Sequence, residues 1–203
     1  MRVYRKAINK LLRLFELKFI PNERRVVYLT FDDGPEPDIT EFVLRELDKY
    51  GFKATFFCRG DNAEKFPVLL AKLIESGHAI GNHTYSHLHV YDTSSNRYIE
   101  DVERADAILQ TNLFRPPYGS LTFRTWWKLH NRKIVFWTLN SCDSDMTVFN
   151  YERSIENLKS NTYSGVIVLF HFCHKHENET KLLLPQYLKW LEENGYKSFI
   201  ISQ

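Results

Sequence analysis

The sequence predicts a single-domain α/β fold, a parallel sheet covered by helices and wound either as an open doubly wound sheet or as a barrel. Three observations carry this. About seven β-branched or aromatic runs alternate with segments whose apolar residues repeat at helical spacing. Two of those runs, "KIVFWTL" and "GVIVLF", are apolar throughout, as strands buried on both faces are. No linker, repeat or low-complexity stretch interrupts the alternation, and 203 residues suit one domain with a sizeable core.

Taken in order, "MRVYRKAINKLLRLFELKF" is basic and amphipathic and predicts a helix over residues 1–22. That helix would pack on the domain with its Lys and Arg in water, or rest on an anionic membrane surface. Residues 23–203 form the α/β domain. "RRVVYLTF" is a strand, and "DITEFVLRELDKYG" a helix stopped at Gly51. "KATFFC" is the second strand, "NAEKFPVLLAKLIESG" one helix ending at Gly77, and "HAIGN" a short third strand. A helix at "SNRYIEDVERADAILQ", a short strand at "LFRP" and a helix at "FRTWWKLH" follow. "KIVFWTL" and "GVIVLF" are the fifth and sixth strands, "TKLLLPQYLKWLEENG" a helix, and "KSFIIS" the last strand.

Composition narrows the function. Hydrophobic content of 43% with 26% charged residues is that of a globular chain, and a net charge of +2 gives no pointer to nucleic acid. No run of apolar residues is long enough for a transmembrane helix. The charges in the N-terminal segment interrupt any signal-peptide core. A cytoplasmic protein is expected, with weak membrane-surface contact through residues 1–20 as the peripheral option. Cys58, Cys142 and Cys173 form no C-x-x-C pair and read as reduced thiols. The 15% aromatic content suits core packing and also stacking on sugar rings.

In either α/β fold, ligands collect at the carboxyl ends of the strands. Polar clusters stand after five strand runs: Asp32-Asp33 after the first, "GNHTYSH" after the third, "RPPYG" after the fourth, "NSCDSD" after the fifth and "HFCHKH" after the sixth. Two adjacent carboxylates repel each other, so a metal or an arginine is expected beside them. His83 and His87 sit four apart, a spacing that on a helix places both imidazoles on one face, within reach of one ion. Asp33 would complete a two-histidine, one-carboxylate set; the alternative for the Asp pair is helix capping in a turn.

The motifs "TFDDGP", "HTYSH", "RPPYG" and "LFH", in this order and approximate spacing, resemble those of the polysaccharide deacetylase family, carbohydrate esterase family four. The likeness spans residues 25 to 201, and "KATFFCRGDNAEKFPVLLAKLIESGHAIGNHTYSH" is similar to that family almost throughout. The resemblance implies a distorted parallel (β/α) barrel and a hydrolase that removes N- or O-acetyl groups from glycans with a divalent metal. Zinc is the expected ion, with cobalt, manganese, nickel or iron as alternatives. It further implies Asp33, His83 and His87 as metal ligands, and Asp32 as general base held by Arg115. Tyr118, in the Pro116–Tyr118 loop, would give its backbone amide to the oxyanion. His171 would be the general acid, with Asp143 behind it.

The chain also departs from that pattern. Ser144 stands where a Trp wall of the acetyl pocket is common, Asn140 where an acidic residue is frequent, and Phe172 where a small acidic residue is usual. His174 and His176 are unaccounted for, and read as a solvated loop, a second metal site or substrate contacts. Trp126 and Trp127 are expected mainly to pack. The leading function is removal of N-acetyl groups from N-acetylglucosamine-type units. The same machinery acting on a lipid-linked or small amino sugar is an alternative, as is an O-acetyl xylan esterase. A sugar-binding module that has lost catalysis is the non-enzyme alternative, and the joint presence of Asp32, Asp33, His83, His87, Arg115 and His171 argues against it.

Overall fold

A computed structural model describes residues 25–144 and 149–202; the helix expected over 1–22 lies outside them. The run ahead of the two carboxylates forms β1 (Val26–Asp32), and its side chains alternate across the sheet. Val27, Leu29 and Phe31 join the large core under the helices, whereas Tyr28 joins a smaller cluster with Phe57, Leu113, Val135 and Ile201. Thr30 and Asp32 share the Tyr28 face by the same two-residue period. The strand thus offers an apolar floor, a hydroxyl and a carboxylate, in that order, to the interior of the curled sheet.

The remaining strands are β2 (Ala54–Cys58), β3 (Ala79–Asn82), β4 (Leu113–Phe114), β5 (Lys133–Ile134), β6 (Leu139–Asn140), β7 (Val166–His171) and β8 (Lys197–Ser198). Every pairing is parallel, in the order β5-β4-β3-β2-β1-β7-β6, with β8 beside the first two residues of β1. That is chain order around a ring. The helices are α1 (Ile39–Asp48), α2 (Gly60–Lys65), α3 (Pro67–Glu75), α4 (Ser95–Leu109), α5 (Phe123–Lys128), α6 (Tyr151–Ser160) and α7 (Glu177–Glu193).

Several elements differ from their sequence expectation: α6 had none, β8 keeps only the first two residues of "KSFIIS", and two expected elements divide. The apolar run "KIVFWTL", expected as one strand, divides into β5 and β6 because it changes partner midway. Val135 N–H donates to Phe114 O (2.8 Å) on one margin, and Thr138 N–H to Ile167 O (2.9 Å) on the other. The Val135 carbonyl leaves the ladder to accept from Arg115 Nε at 3.1 Å. One run therefore bonds both margins of the sheet, which makes it a distorted barrel. The helix expected through "NAEKFPVLLAKLIESG" breaks into α2 and α3 at Phe66 (φ −126, ψ 59), since Pro67 lacks an N–H and disfavours the helical region for the residue before it.

Strand register sets the rim. Asp32 pairs with Phe57 and with His171, Cys58 with Asn82, and Asn82 with Phe114. The next residues along β1, β3 and β4, namely Asp33, His83 and Arg115, therefore leave the sheet at one level. Beneath them Phe31 stacks on Phe56 (5.1 Å between centroids) and Phe172 meets Phe56 edge-on at 5.0 Å. Phe172 also explains the glycine after the two carboxylates: a Cβ on Gly34 would lie 2.4 Å from the Phe172 ring and 2.6 Å from its carbonyl oxygen. Backbone cannot yield as a flexible side chain can. Gly34→Ala is expected to lose on the order of 1–3 kcal/mol in urea unfolding; an unchanged midpoint would contradict this packing.

Candidate active site

Asp33 follows β1 in a left-handed conformation (φ 85), uncommon for a residue with a side chain. Its N–H donates to Phe57 O (3.3 Å), and its carbonyl accepts from Asn62 Nδ2 (2.8 Å). His83 follows β3, with Nδ1 2.7 Å from Arg115 O. A carbonyl only accepts, so Nδ1 carries the proton and Nε2 keeps its lone pair. His83 Nε2 is 3.5 Å from Asp33 Oδ1, and His87 Nε2 is 3.1 Å from the same oxygen.

Burial pushes the His83 imidazole down to about 4, so at neutral pH it is the uncharged form that ligates metals. Burial alone would raise the Asp33 carboxyl, but the imidazoles of His87, His171 and His83 outweigh it and hold it well below the usual carboxylate range. Asp33 Oδ1 is nevertheless buried without a well-formed hydrogen bond to the described residues. A carboxylate oxygen so placed is one that a cation between the imidazoles would satisfy. One ligand atom from each of Asp33, His83 and His87 lies within 4.8 Å of the others. Two neutral imidazoles and a carboxylate are the donors a divalent cation takes, so this set fits one.

The His83–His87 spacing works without a helix, contrary to the sequence expectation. Residues 83–89 carry no regular secondary structure, and Thr84 (φ 62) and His87 (φ 58) are left-handed. Asp101 on α4 holds this loop, accepting from Tyr85 N–H and Ser86 N–H (3.0 Å each) and from Ser86 Oγ (2.7 Å). Asn82 anchors its start: Oδ1 accepts from Thr84 N–H (2.7 Å), and Nδ2 donates to Val102 O (2.9 Å) and Asp106 Oδ1 (2.7 Å). The pair converges because the loop folds back on α4.

Arg115 is fully buried inside the barrel. Its NH1 donates to Asp32 Oδ1 and to Thr30 Oγ1, both at 2.8 Å, and its guanidinium lies 4.1 Å over the Phe57 ring. Asp32 Oδ2 is 3.8 Å from His83 Nε2. One Asp32 oxygen is thus tied to arginine while the other borders the three-donor set. On the next loop Tyr118 (φ 59), two residues after Pro116, packs edge-on against His87 (4.7 Å) and His89 (4.8 Å).

His171 ends β7 across from Asp32, with Nδ1 2.7 Å from Asp143 Oδ1 and its N–H donating to Asp143 Oδ2 at 2.8 Å. Thr180 on α7 donates to Asp143 Oδ2 (2.8 Å). Burial pulls the His171 imidazole down, but Asp143, then Asp33 and Asp32, raise it to about 9. Burial pushes the Asp143 carboxyl up, and His171 with Thr180 brings it below its ordinary value. At neutral pH the pair is ionised.

Asp32, Asp33, His83, His87, Arg115, Tyr118, Asp143 and His171 therefore all stand at the ends of strands or in the loops that follow them. Others were missed: Thr30, Asn82, Asp101 and Thr180 position those side chains through hydrogen bonds between distant segments. Thr30 had a faint signal, a hydroxyl in an apolar strand. Among the departures, Asn140 Oδ1 accepts from Cys142 N–H (2.8 Å) in the turn that leads to Asp143, and Ser144 follows in that turn, half-buried. His174 is exposed, as a solvated loop requires, but His176 is buried with its ring edge-on to His171 at 5.4 Å. Trp126 packs on a second core cluster; Trp127, expected to pack, is 63% exposed and stacks on His130.

In an NMR titration of the metal-free protein, His171 should lose its proton near pH 9. Asp143→Asn removes the largest raising charge and leaves the burial, so the titration should fall well below 9. An unmoved titration would contradict the pairing. Because the folded value lies above the unfolded one, the pair stabilises the fold fully below about pH 6.5 and loses that contribution as pH rises through about 9.

Comparison with known proteins agrees with this geometry. The family model described as polysaccharide deacetylase matches residues 20–137. The chain is 31% identical to a peptidoglycan-N-acetylglucosamine deacetylase of Bacillus cereus, over 91% of this chain and 90% of that protein. A second Bacillus cereus protein of the same description is 34% identical over 74% of this chain, and the match spans 57% of its length. Among solved structures, the Bc1960 peptidoglycan N-acetylglucosamine deacetylase superposes with a TM-score of 0.82 at 29% identity, covering 89% of this chain and 88% of that one.

Proposed function

The chain belongs to the polysaccharide deacetylase family, and from that premise we propose that it is a zinc-dependent hydrolase that removes N-acetyl groups from N-acetylglucosamine units of a glycan. Peptidoglycan strands are the first substrate to test, because the relatives it matches are described as acting on them. The observation that carries the reading is the buried, unbonded Asp33 Oδ1 between His83 and His87, with Asp32 and Arg115 alongside.

Asp33, His83 and His87 would hold the ion, which when bound would supply Lewis acidity to the site. Asp32, oriented by its bond to Arg115, takes the proton of the attacking water on the oxygen that arginine leaves open. Arg115 also fixes the orientation of that carboxylate, since its own guanidinium is anchored to Thr30 and Val135. The Tyr118 amide, on a loop stiffened by Pro116 and Pro117, donates to the developing oxyanion. His171, held protonated by Asp143, delivers a proton to the departing amine nitrogen. Base and acid thus come from neighbouring strands, β1 and β7, on paired residues.

Purified protein should carry about one zinc per chain, and a chelator should abolish acetate release from peptidoglycan fragments and chitin oligomers until zinc is restored. Asp32→Asn should keep the metal and slow release by roughly 10²–10⁴-fold. Turnover at the wild-type rate in Asp32→Asn would refute the base assignment. Binding of oligomers by zinc-loaded protein without any acetate release would favour a lapsed sugar-binding module.

A further inference from the structure

The turn after His171 is bonded to the loop after β1 along its length. Phe172 N–H donates to Asp32 O (3.0 Å), and His174 N–H donates to Glu36 Oε2 (2.7 Å). Between these bonds lies Cys173, buried at 6% exposure, with Sγ 3.9 Å from Asp33 Oδ2, a sulfur-length hydrogen bond in which the thiol donates. The two Asp33 oxygens therefore have unlike surroundings. Oδ1 faces His83 and His87, while Oδ2 meets the thiol. Among the described residues, Cys173 is the one side chain donating to Oδ2.

We infer that Cys173 is a positioning residue for the metal ligand Asp33: its thiol proton occupies Oδ2 and leaves Oδ1 as the single coordinating oxygen. The inference rests on reading Asp33, His83 and His87 as the metal set. The Asp33 backbone is pinned by Phe57 and Asn62, but those bonds do not fix the carboxylate plane. An unrestrained carboxylate can offer a metal one oxygen or both. A donor on one oxygen removes that freedom and tilts the group toward one-oxygen binding, as partners behind metal ligands do. The thiol is a weak donor, yet burial keeps water from competing with it. Phe172 fixes where the thiol stands, because its ring is locked over Gly34. Cys173 is outside the three-donor set, so it acts through Asp33.

The test uses full-length protein, stripped of metal and titrated with zinc against a chromophoric chelator. Cys173→Ala should bind zinc roughly tenfold more weakly than wild type, the lower end of the loss seen when such a partner is removed. Cys173→Ser should also lose affinity, because its shorter Cβ–Oγ bond leaves the hydroxyl beyond hydrogen-bond reach of Oδ2, which the thiol meets at 3.9 Å. The cobalt-loaded wild type should lack a thiolate-to-cobalt charge-transfer band. Wild-type zinc affinity in Cys173→Ala would overturn the inference, and so would a charge-transfer band, which would make Cys173 a ligand itself. Should Cys173→Ala not fold, Cys173→Ser decides: a loss of about tenfold supports the role, and retained affinity overturns it. A wild type that binds no zinc would remove the proposed function and this inference together, whereas zinc-tight wild type with an equally tight Cys173→Ala removes only the latter.

Discussion

A single buried charge pair, Arg115 with Asp32, is the constraint on which the site depends. Placing a guanidinium inside a barrel is costly, and such a pair is retained only when its hydrogen bonds are well made. Here they come from two segments: Asp32 and Thr30 on β1, and the Val135 carbonyl from the run that joins β5 to β6. That last bond also takes Val135 out of the ladder, so the same arginine that holds the carboxylate lies at the point where the barrel is distorted. Removing one partner of a buried pair typically costs about 3–5 kcal/mol, which makes the pair a matter of folding as well as chemistry.

Arg115 also determines what the neighbouring groups can be. Its backbone carbonyl fixes the tautomer of His83, and its side chain occupies one oxygen of Asp32. The adjacent carboxylates then divide their roles by surroundings rather than by sequence. Asp32 has an arginine; Asp33 has two imidazoles and a thiol, and keeps one buried oxygen without a well-formed bond. On the opposite side, Asp143 fixes the orientation of His171 as Arg115 fixes that of Asp32, and it also raises the imidazole's pKa. The proposed reaction needs this asymmetry, one group held as a base and its cross-strand neighbour held as an acid.

Much of the fold was legible in the sequence through periodicity, and the roles at the site through the likeness of its motifs to the polysaccharide deacetylase family. Strands and helices alternate, strand ends share one rim, and polar clusters at those ends are conspicuous against apolar runs. What escaped was whatever depends on contacts between distant segments. The four-residue spacing of His83 and His87 suggested a helical face, but Asp101, fourteen residues beyond His87, imposes a loop instead. The run "KIVFWTL" carries no mark of its change of partner, because the cause is the Arg115 side chain from another strand. Pro67 could have been read as a helix break, since the restriction it imposes on Phe66 is local. Trp127 packs less than expected because α5 is short and turns only one of its two tryptophans toward the core. Thr180 gave no signal, and Cys173, though it lies in the "HFCHKH" cluster, gave no sign of its partner, as a hydroxyl on a helix and a lone thiol are ordinary until their partners are seen.

The most direct measurement is anomalous diffraction at the zinc edge from crystals of zinc-loaded protein. The account predicts one ion bound to Asp33 Oδ1, His83 Nε2 and His87 Nε2, with Asp32 outside the coordination shell and still bonded to Arg115. An ion bound by Asp32 with Asp33 turned away, or no ion among these side chains at saturating zinc, would contradict it.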